Sequence, residues 1–279
     1  MRIDAHQHFW QLTKFDYAWM PPGENVLRRD YLPPELGSIL QEHRFDGCIA
    51  VQATTDAGEA QWLLDLAGEY PFLKGAVVWT DLTSDRLPHE LDRLQRDAKF
   101  RGVRHPVHDE EDARWLLRDD VLAGLQELAR RDIPYDLLLR PIHLALVPLL
   151  AERVPELRMV IDHLSKPYIA DHLVEGWAED LAEAAKLPQV YCKLSGMITE
   201  ASPQDWKAAD LQPYIAHALS VFGPERCMFG SDWPVCRLAG SWKQVLAAFT
   251  QACGPLPQSV RDQLLGETAI RFYRLPSSS

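Results

Sequence analysis

The chain has 279 residues, 47% of them hydrophobic and 25% charged, and its 40 acids outnumber its 29 bases to give a formal net charge of −11. This composition is that of a globular protein, and with no apolar run long enough for a bilayer it excludes disorder and membrane spanning. The acidic balance opposes the attraction on which non-specific nucleic-acid binding and adhesion to anionic membranes depend, so neither is expected as a partner.

From the N-terminus, short apolar runs alternate with longer amphipathic stretches, the pattern of repeated β-α units around a parallel sheet. The first run, residues 2–8, closes on His6-Gln7-His8. About 25 residues then separate His8 from a helix announced by Pro33-Pro34, against the usual two to six. That connection carries Phe9, Trp10, Phe15, Tyr17, Trp19 and Tyr31, which suits either a lid over a site or a self-packed surface loop. The second run, 47–53, includes Gln52 near its end. Asp56 and Glu59 follow at the N-cap and N3 spacing of a capping box, before Ala60, Leu63, Leu64 and Ala67 at helical spacing. The third run, 74–80, carries Trp79 with Asp81 just beyond, and the fourth, 102–105, carries Arg104 and His105. A helix is predicted over about 112–130. The fifth run, 134–140, ends in Arg140, and the sixth, 158–163, in Asp162-His163. The seventh, 190–195, holds Lys193 and Ser195, and the eighth, 227–232, ends in Ser231-Asp232. Helices are predicted at about 143–153, 172–186, 206–221 and 241–252, with Pro134, Pro155 and Pro188 marking returns to strand. Eight such units without a linker predict an α/β fold: one (β/α)8 TIM-like barrel over residues 1–276, with 277–279 a loose tail.

In such a barrel the C-terminal strand ends and the loops after them build the active site. All eight ends carry residues capable of chemistry, and it is their convergence on one rim that argues for a site. His6 and His8, two apart on a strand, face the same side about 7 Å apart. A carboxylate such as Asp232, at the end of an apolar strand before Trp233-Pro234, is costly to bury unless paired or used. His163 ends its own apolar run and can join the same cluster. Arg104, Arg140 and Lys193 are cations suited to an anionic or oxygen-rich ligand, or to pairing with internal acids. Five cysteines, an odd number without a C-x-x-C pair, point to core thiols in a reducing compartment. The cytoplasm is expected, since cleavage of a secretory leader would remove His6 and His8.

With these residues placed, the chain resembles the lactonase branch of the amidohydrolase superfamily, most closely its fuconolactonase-like sugar-lactone hydrolases. The resemblance rests on Arg2-Ile3-Asp4-Ala5-His6-Gln7-His8-Phe9-Trp10, Gly102-Val103-Arg104-His105, Val160-Ile161-Asp162-His163-Leu164-Ser165-Lys166-Pro167, Cys192-Lys193-Leu194-Ser195-Gly196, and Phe222-Gly223-Pro224-Glu225-Arg226 leading into Met228-Phe229-Gly230-Ser231-Asp232-Trp233-Pro234. It implies a hydrolase of a small lactone with His6, His8, His163 and Asp232 at its centre. Asp232 would be the general base and the histidines would polarise the carbonyl, while Trp79, Arg104, Arg140, Lys193 and Gln52 bind substrate. The superfamily's binuclear enzymes use a bridging Lys or Glu on the fourth strand and a His on the fifth. Here those ends read Val103-Arg104-His105 and Leu138-Leu139-Arg140. The implied cofactor is therefore none, or one divalent metal, zinc foremost, on His6, His8, His163 and Asp232. A carboxylated lactone, of the pyrone dicarboxylate or muconolactone kind, is the alternative substrate, and a barrel that binds sugar acids without catalysis is the alternative from another class. A monomer or homodimer is expected.

Overall fold

The computed structural model describes residues 1–276. Eight parallel strands run in sequence order around one sheet: β1 Ile3–Gln7, β2 Gly47–Val51, β3 Leu73–Val78, β4 Phe100–His105, β5 Tyr135–Leu137, β6 Met159–Ile161, β7 Val190–Leu194 and β8 Cys227–Phe229. Between and after them lie α1 Pro33–Glu42, α2 Ala57–Glu69, α3 Leu87–Leu94, α4 Asp119–Arg130, α5 Leu146–Arg153, α6 Trp177–Ala185, α7 Met197–Glu200, α8 Ala208–Phe222, α9 Trp242–Cys253, α10 Gln258–Asp262 and α11 Thr268–Phe272. The fold is the expected single (β/α)8 barrel. Its seam closes where His8 N donates to the Trp233 carbonyl at 2.7 Å and Asp232 N to the His6 carbonyl at 2.8 Å.

Several elements differ from the sequence expectation. The helix α3 was not anticipated, although Leu87, Leu91 and Leu94 bury one face at helical spacing. The stretch expected as helix from 112 begins with a 3-10 turn at Trp115–Leu117, and the helix proper starts at Asp119. Likewise, the helix expected from 172 starts only at Trp177, after a left-handed His172 and a turn at Gly176. At the C-terminus, α10 and α11 are joined by a π-helical turn at Gln263–Glu267. Ala269, Phe272, Tyr273 and Leu275 from this segment pack with Ile3, Ala5, Ile49, Val51, Val77, Val160 and Met228, plugging the barrel opposite the site.

The first strand is irregular in a way that serves the site. Ile3 and Ala5 join that barrel core, whereas Asp4 points outward and accepts from Trp242 Nε1 of α9 at 2.9 Å. Simple alternation would send His6 the way of Asp4. The pairing of β1 with β2 shifts register between Asp4 and Gln7, and such an irregularity re-aims the side chains that follow it. Four cysteines are buried and Cys253 is partly exposed, and all five are free thiols. Among the described residues no helix is long and apolar enough to cross a membrane.

Candidate active site

His6, His8, His163 and Asp232 meet at the C-terminal mouth of the barrel. The His8 ring is fixed by Nδ1, which donates to the Val51 carbonyl at 2.8 Å and turns Nε2 toward the centre of the cluster. That Nε2 lies 3.1 Å from Nε2 of His6 and 3.3 Å from Asp232 Oδ1. The same carboxylate oxygen is 3.9 Å from His6 Nε2 and 4.0 Å from His163 Nε2. On its other side the His163 ring faces Ser195 Oγ, with Nδ1 at 2.8 Å.

The backbone delivering two of these groups is strained. His163 through Lys166 all have positive φ, 54°, 51°, 62° and 53°, and Asp232 has φ 56°. Non-glycine residues rarely occupy this left-handed region, and such outliers cluster where geometry serves a site. The turn swings His163 toward Asp232 and carries Lys166 into the cavity wall.

Beneath the histidines lies a buried charged layer. Lys193 Nζ sits 2.5 Å from Asp136 Oδ2, 3.0 Å from Asp162 Oδ1 and 3.1 Å from His6 Nδ1. Arg104 Nη1 is 3.1 Å from Asp162 Oδ2 and 3.3 Å from His6 Nε2, while Arg104 Nε donates to Gln52 Oε1 at 3.0 Å. Tyr273 donates to Asp136 from below at 2.8 Å. Burial, reinforced by Lys193, outweighs Asp162 and holds His6 well below the ordinary imidazole range. Burial does the same for His163 despite Asp232 beside it. For Asp232 burial works the other way, raising the carboxyl, but His163 and the contacts to His8 prevail and lower it. Burial thus disfavours the charged form of His6 and His163, while the surroundings of Asp232 favour its carboxylate.

A cavity of about 500 Å³ opens over this cluster. His8, His163, Asp232, Gln52, Arg104 and Arg140 line it, as expected from the sequence, and His6 lies immediately beneath. Two expected substrate contacts do not reach it. Lys193 is fully buried in the ion network under His6, because a lysine two residues before the strand-end Ser195 points into the barrel and not over its rim. Trp79 turns away to donate from Nε1 to His105 Nδ1 at 3.0 Å; His105 in turn stacks on Trp115 and contacts Glu110 at 2.6 Å. The sequence reading did not single out Asp16, Thr54, His108, Asp109 or Lys166 in the wall. Most sit in loops without periodicity, and their only signal was position after a strand end. The long β1–α1 connection packs on itself, with Trp10, Tyr17, Met20, Leu27 and Tyr31 buried, and its residues Asp16, Ala18 and Trp19 line the cavity.

The donor set suits a single divalent cation. His6, His8 and Asp232 offer atoms 3.1, 3.3 and 3.9 Å apart, against edges of about 3.3 Å for tetrahedral zinc with nitrogen and oxygen ligands. The Val51 carbonyl on His8 supplies the outer anchor that such ligands carry. On β4 the position from which a bridging ligand would come is held by Arg104, whose permanently charged guanidinium stands beside His6.

Such a strand-end cluster of histidines and an aspartate on a (β/α)8 barrel is the architecture of a hydrolase site. The family profile described as Amidohydrolase matches residues 3–275, and the chain belongs to that family. It is 36% identical to an L-fucono-1,5-lactonase of Burkholderia ambifaria, over 100% of this chain and 97% of the relative. It is 39% identical to an L-fucono-1,5-lactonase of Burkholderia multivorans, over 99% and 97%. A crystal structure of an amidohydrolase from B. multivorans with bound zinc is 38% identical, with a TM-score of 0.94 over 99% of this chain and 100% of that one.

Proposed function

We propose that the chain opens a small sugar lactone of the fucono- or aldonolactone type to the aldonic acid, with Asp232 as general base. The observation that carries this reading is the meeting of Asp232 with His8 at 3.3 Å and His163 at 4.0 Å on the floor of a cavity sized for a small molecule. The two relatives named L-fucono-1,5-lactonases, matched nearly end to end, support the substrate class. Asp232 takes a proton from water as its oxygen adds to the lactone carbonyl. The ring C–O bond then breaks, and the leaving ring oxygen takes the proton back to become a hydroxyl. With Ser195 Oγ donating to His163 Nδ1, His163 Nε2–H faces the cavity and stabilises the developing oxyanion. A divalent ion on His6, His8 and Asp232, zinc in our reading, would when bound polarise the carbonyl or acidify the water, with His163 left as the donor beside it. Gln52, Arg104 and Arg140 orient the ring and its hydroxyls. Arg140 and Lys166 in the wall favour a second reading, a lactone that itself carries a carboxylate.

A pH-indicator assay over a panel of aldonolactones and carboxylated lactones tests this, run before and after chelation with metal content measured on the same sample. Turnover highest on aldonolactones is expected, and activity that survives complete metal removal would limit the site to the histidines and Asp232. Asp232→Asn should lower kcat by about 10²–10⁴. Wild-type turnover in that variant would sink the base assignment.

A further inference from the structure

Glu59 reads in sequence as the N3 member of a capping box, and the structure gives it other work. Asp56 caps α2 by accepting from Gly58 N at 2.7 Å, but the Glu59 carboxylate does not return to Asp56. It is fully buried and reaches back into the β2–α2 loop, where Oε2 accepts from Ala53 N at 2.9 Å and Thr54 N at 3.1 Å. Its second oxygen, Oε1, has no hydrogen-bond partner, and neither has the buried hydroxyl of Tyr17, whose ionisation is opposed by burial and then by the charge of Glu59. A buried acid with a spare oxygen is an expensive way to hold two amides, so this one merits a reason beyond helix capping.

The loop that Glu59 holds joins both halves of the site. On one side, Gln52 accepts from Arg104 through its side-chain oxygen and its carbonyl, and so fixes the guanidinium beside His6. On the other, the Ala53 carbonyl accepts from Trp19 Nε1 at 2.7 Å, tying down the part of the β1–α1 connection that walls the cavity. We infer that Glu59 is a positioning residue that latches the β1–α1 connection over the cavity through Ala53 and Trp19. In this flap Trp19 is 41% exposed, and besides this hydrogen bond its ring meets the edge of Trp10 at 5.6 Å, while Phe15 rests on Trp62 of α2.

The inference rests on the lactonase reading only for its kinetic arm. Glu59→Gln keeps an oxygen for both amides, whereas Glu59→Ala removes it. Expected for Glu59→Ala is a fall of tenfold or more in kcat/KM carried mainly by KM, because the flap walls the cavity without touching the reacting atoms. Glu59→Gln should stay within threefold of wild type. Hydrogen exchange of the amides over 15–20 and 53–55 should rise in Glu59→Ala and not in Glu59→Gln. Equal kinetic losses in the two variants, or exchange that rises evenly across the barrel, would overturn the latch and leave a purely structural acid. Should Glu59→Ala fail to fold, Trp19→Phe removes the hydrogen bond to Ala53 while keeping an aromatic ring against Trp10, and should raise exchange over 15–20; unchanged exchange there counts against the latch. If no lactone is turned over by any variant, the function reading fails while exchange still decides the latch.

Discussion

Two buried carboxylates meet opposite fates in this protein, and their neighbours decide which. Asp232 has His8 and His163 beside it, and although burial works to raise its carboxyl, they hold it below the ordinary range. Glu59 has two amides, a distant Arg104 and much apolar packing, and burial pushes its carboxyl up to about 8. Asp56 pushes in the same direction, while the Ala53 and Thr54 amides and Arg104 pull against it. A carboxyl raised on folding contributes its full stability below the unfolded value near 4.5, and that contribution is lost as pH climbs through 8. Wild type should therefore lose stability relative to Glu59→Gln between about pH 5 and 8. Urea denaturation of both proteins at pH 5, 6.5 and 8 measures the trend, and parallel curves would show that Glu59 ionises as freely in the fold as outside it.

Among the elements, the turn after β6 concentrates the cost of building the site. Four consecutive left-handed residues carry His163 and Lys166, and the neighbouring turn after β7 makes room for them with Gly196 at φ 63°. A methyl group at Gly196 would lie 2.6 Å from His163 Nδ1. Gly196→Ala should destabilise the fold by about 1–3 kcal/mol and lower turnover together, because the ring must leave Ser195. Thermal unfolding beside the lactone assay reads both, and a stable variant with wild-type activity would show that His163 has freedom the geometry denies it. The strands, their order and the histidine and aspartate ends were legible because apolar runs and strand-end polarity follow from simple periodicity. The turn was not, since nothing in Asp162-His163-Leu164-Ser165-Lys166 announces left-handed backbone in residues other than glycine. For the same reason Lys166 went unnoticed, whereas of the two roles open to Lys193, ligand contact or pairing with internal acids, the structure takes the second through Asp136 and Asp162.

Across the whole molecule, one network runs along the barrel axis. From the plug at the bottom, Tyr273 holds Asp136, Asp136 holds Lys193, and Lys193 holds Asp162 and His6 at the top. Replacing Lys193 by Met leaves two buried carboxylates without their ammonium, which should cost about 3–5 kcal/mol. The loss should show in chemical denaturation even before any assay of activity, and a change under 1 kcal/mol would mean that Asp136 simply takes up a proton. The plug segment was the least legible part of the sequence, because a π turn between two five-residue helices leaves no sustained period to read.

The barrel's seam has a further meaning. Its closing backbone bonds join His6 to Asp232 and His8 to Trp233, so the bonds that shut the cylinder belong to the residues that form the site. These partners lie more than 220 residues apart in the chain, among the most expensive loops a domain of this size can close, and ones that folding reaches slowly. A chain still emerging from synthesis holds His6 and His8 without their acid. The enzyme thus comes into existence in one event with the completed ring, and turnover during refolding is a clock for the final closure.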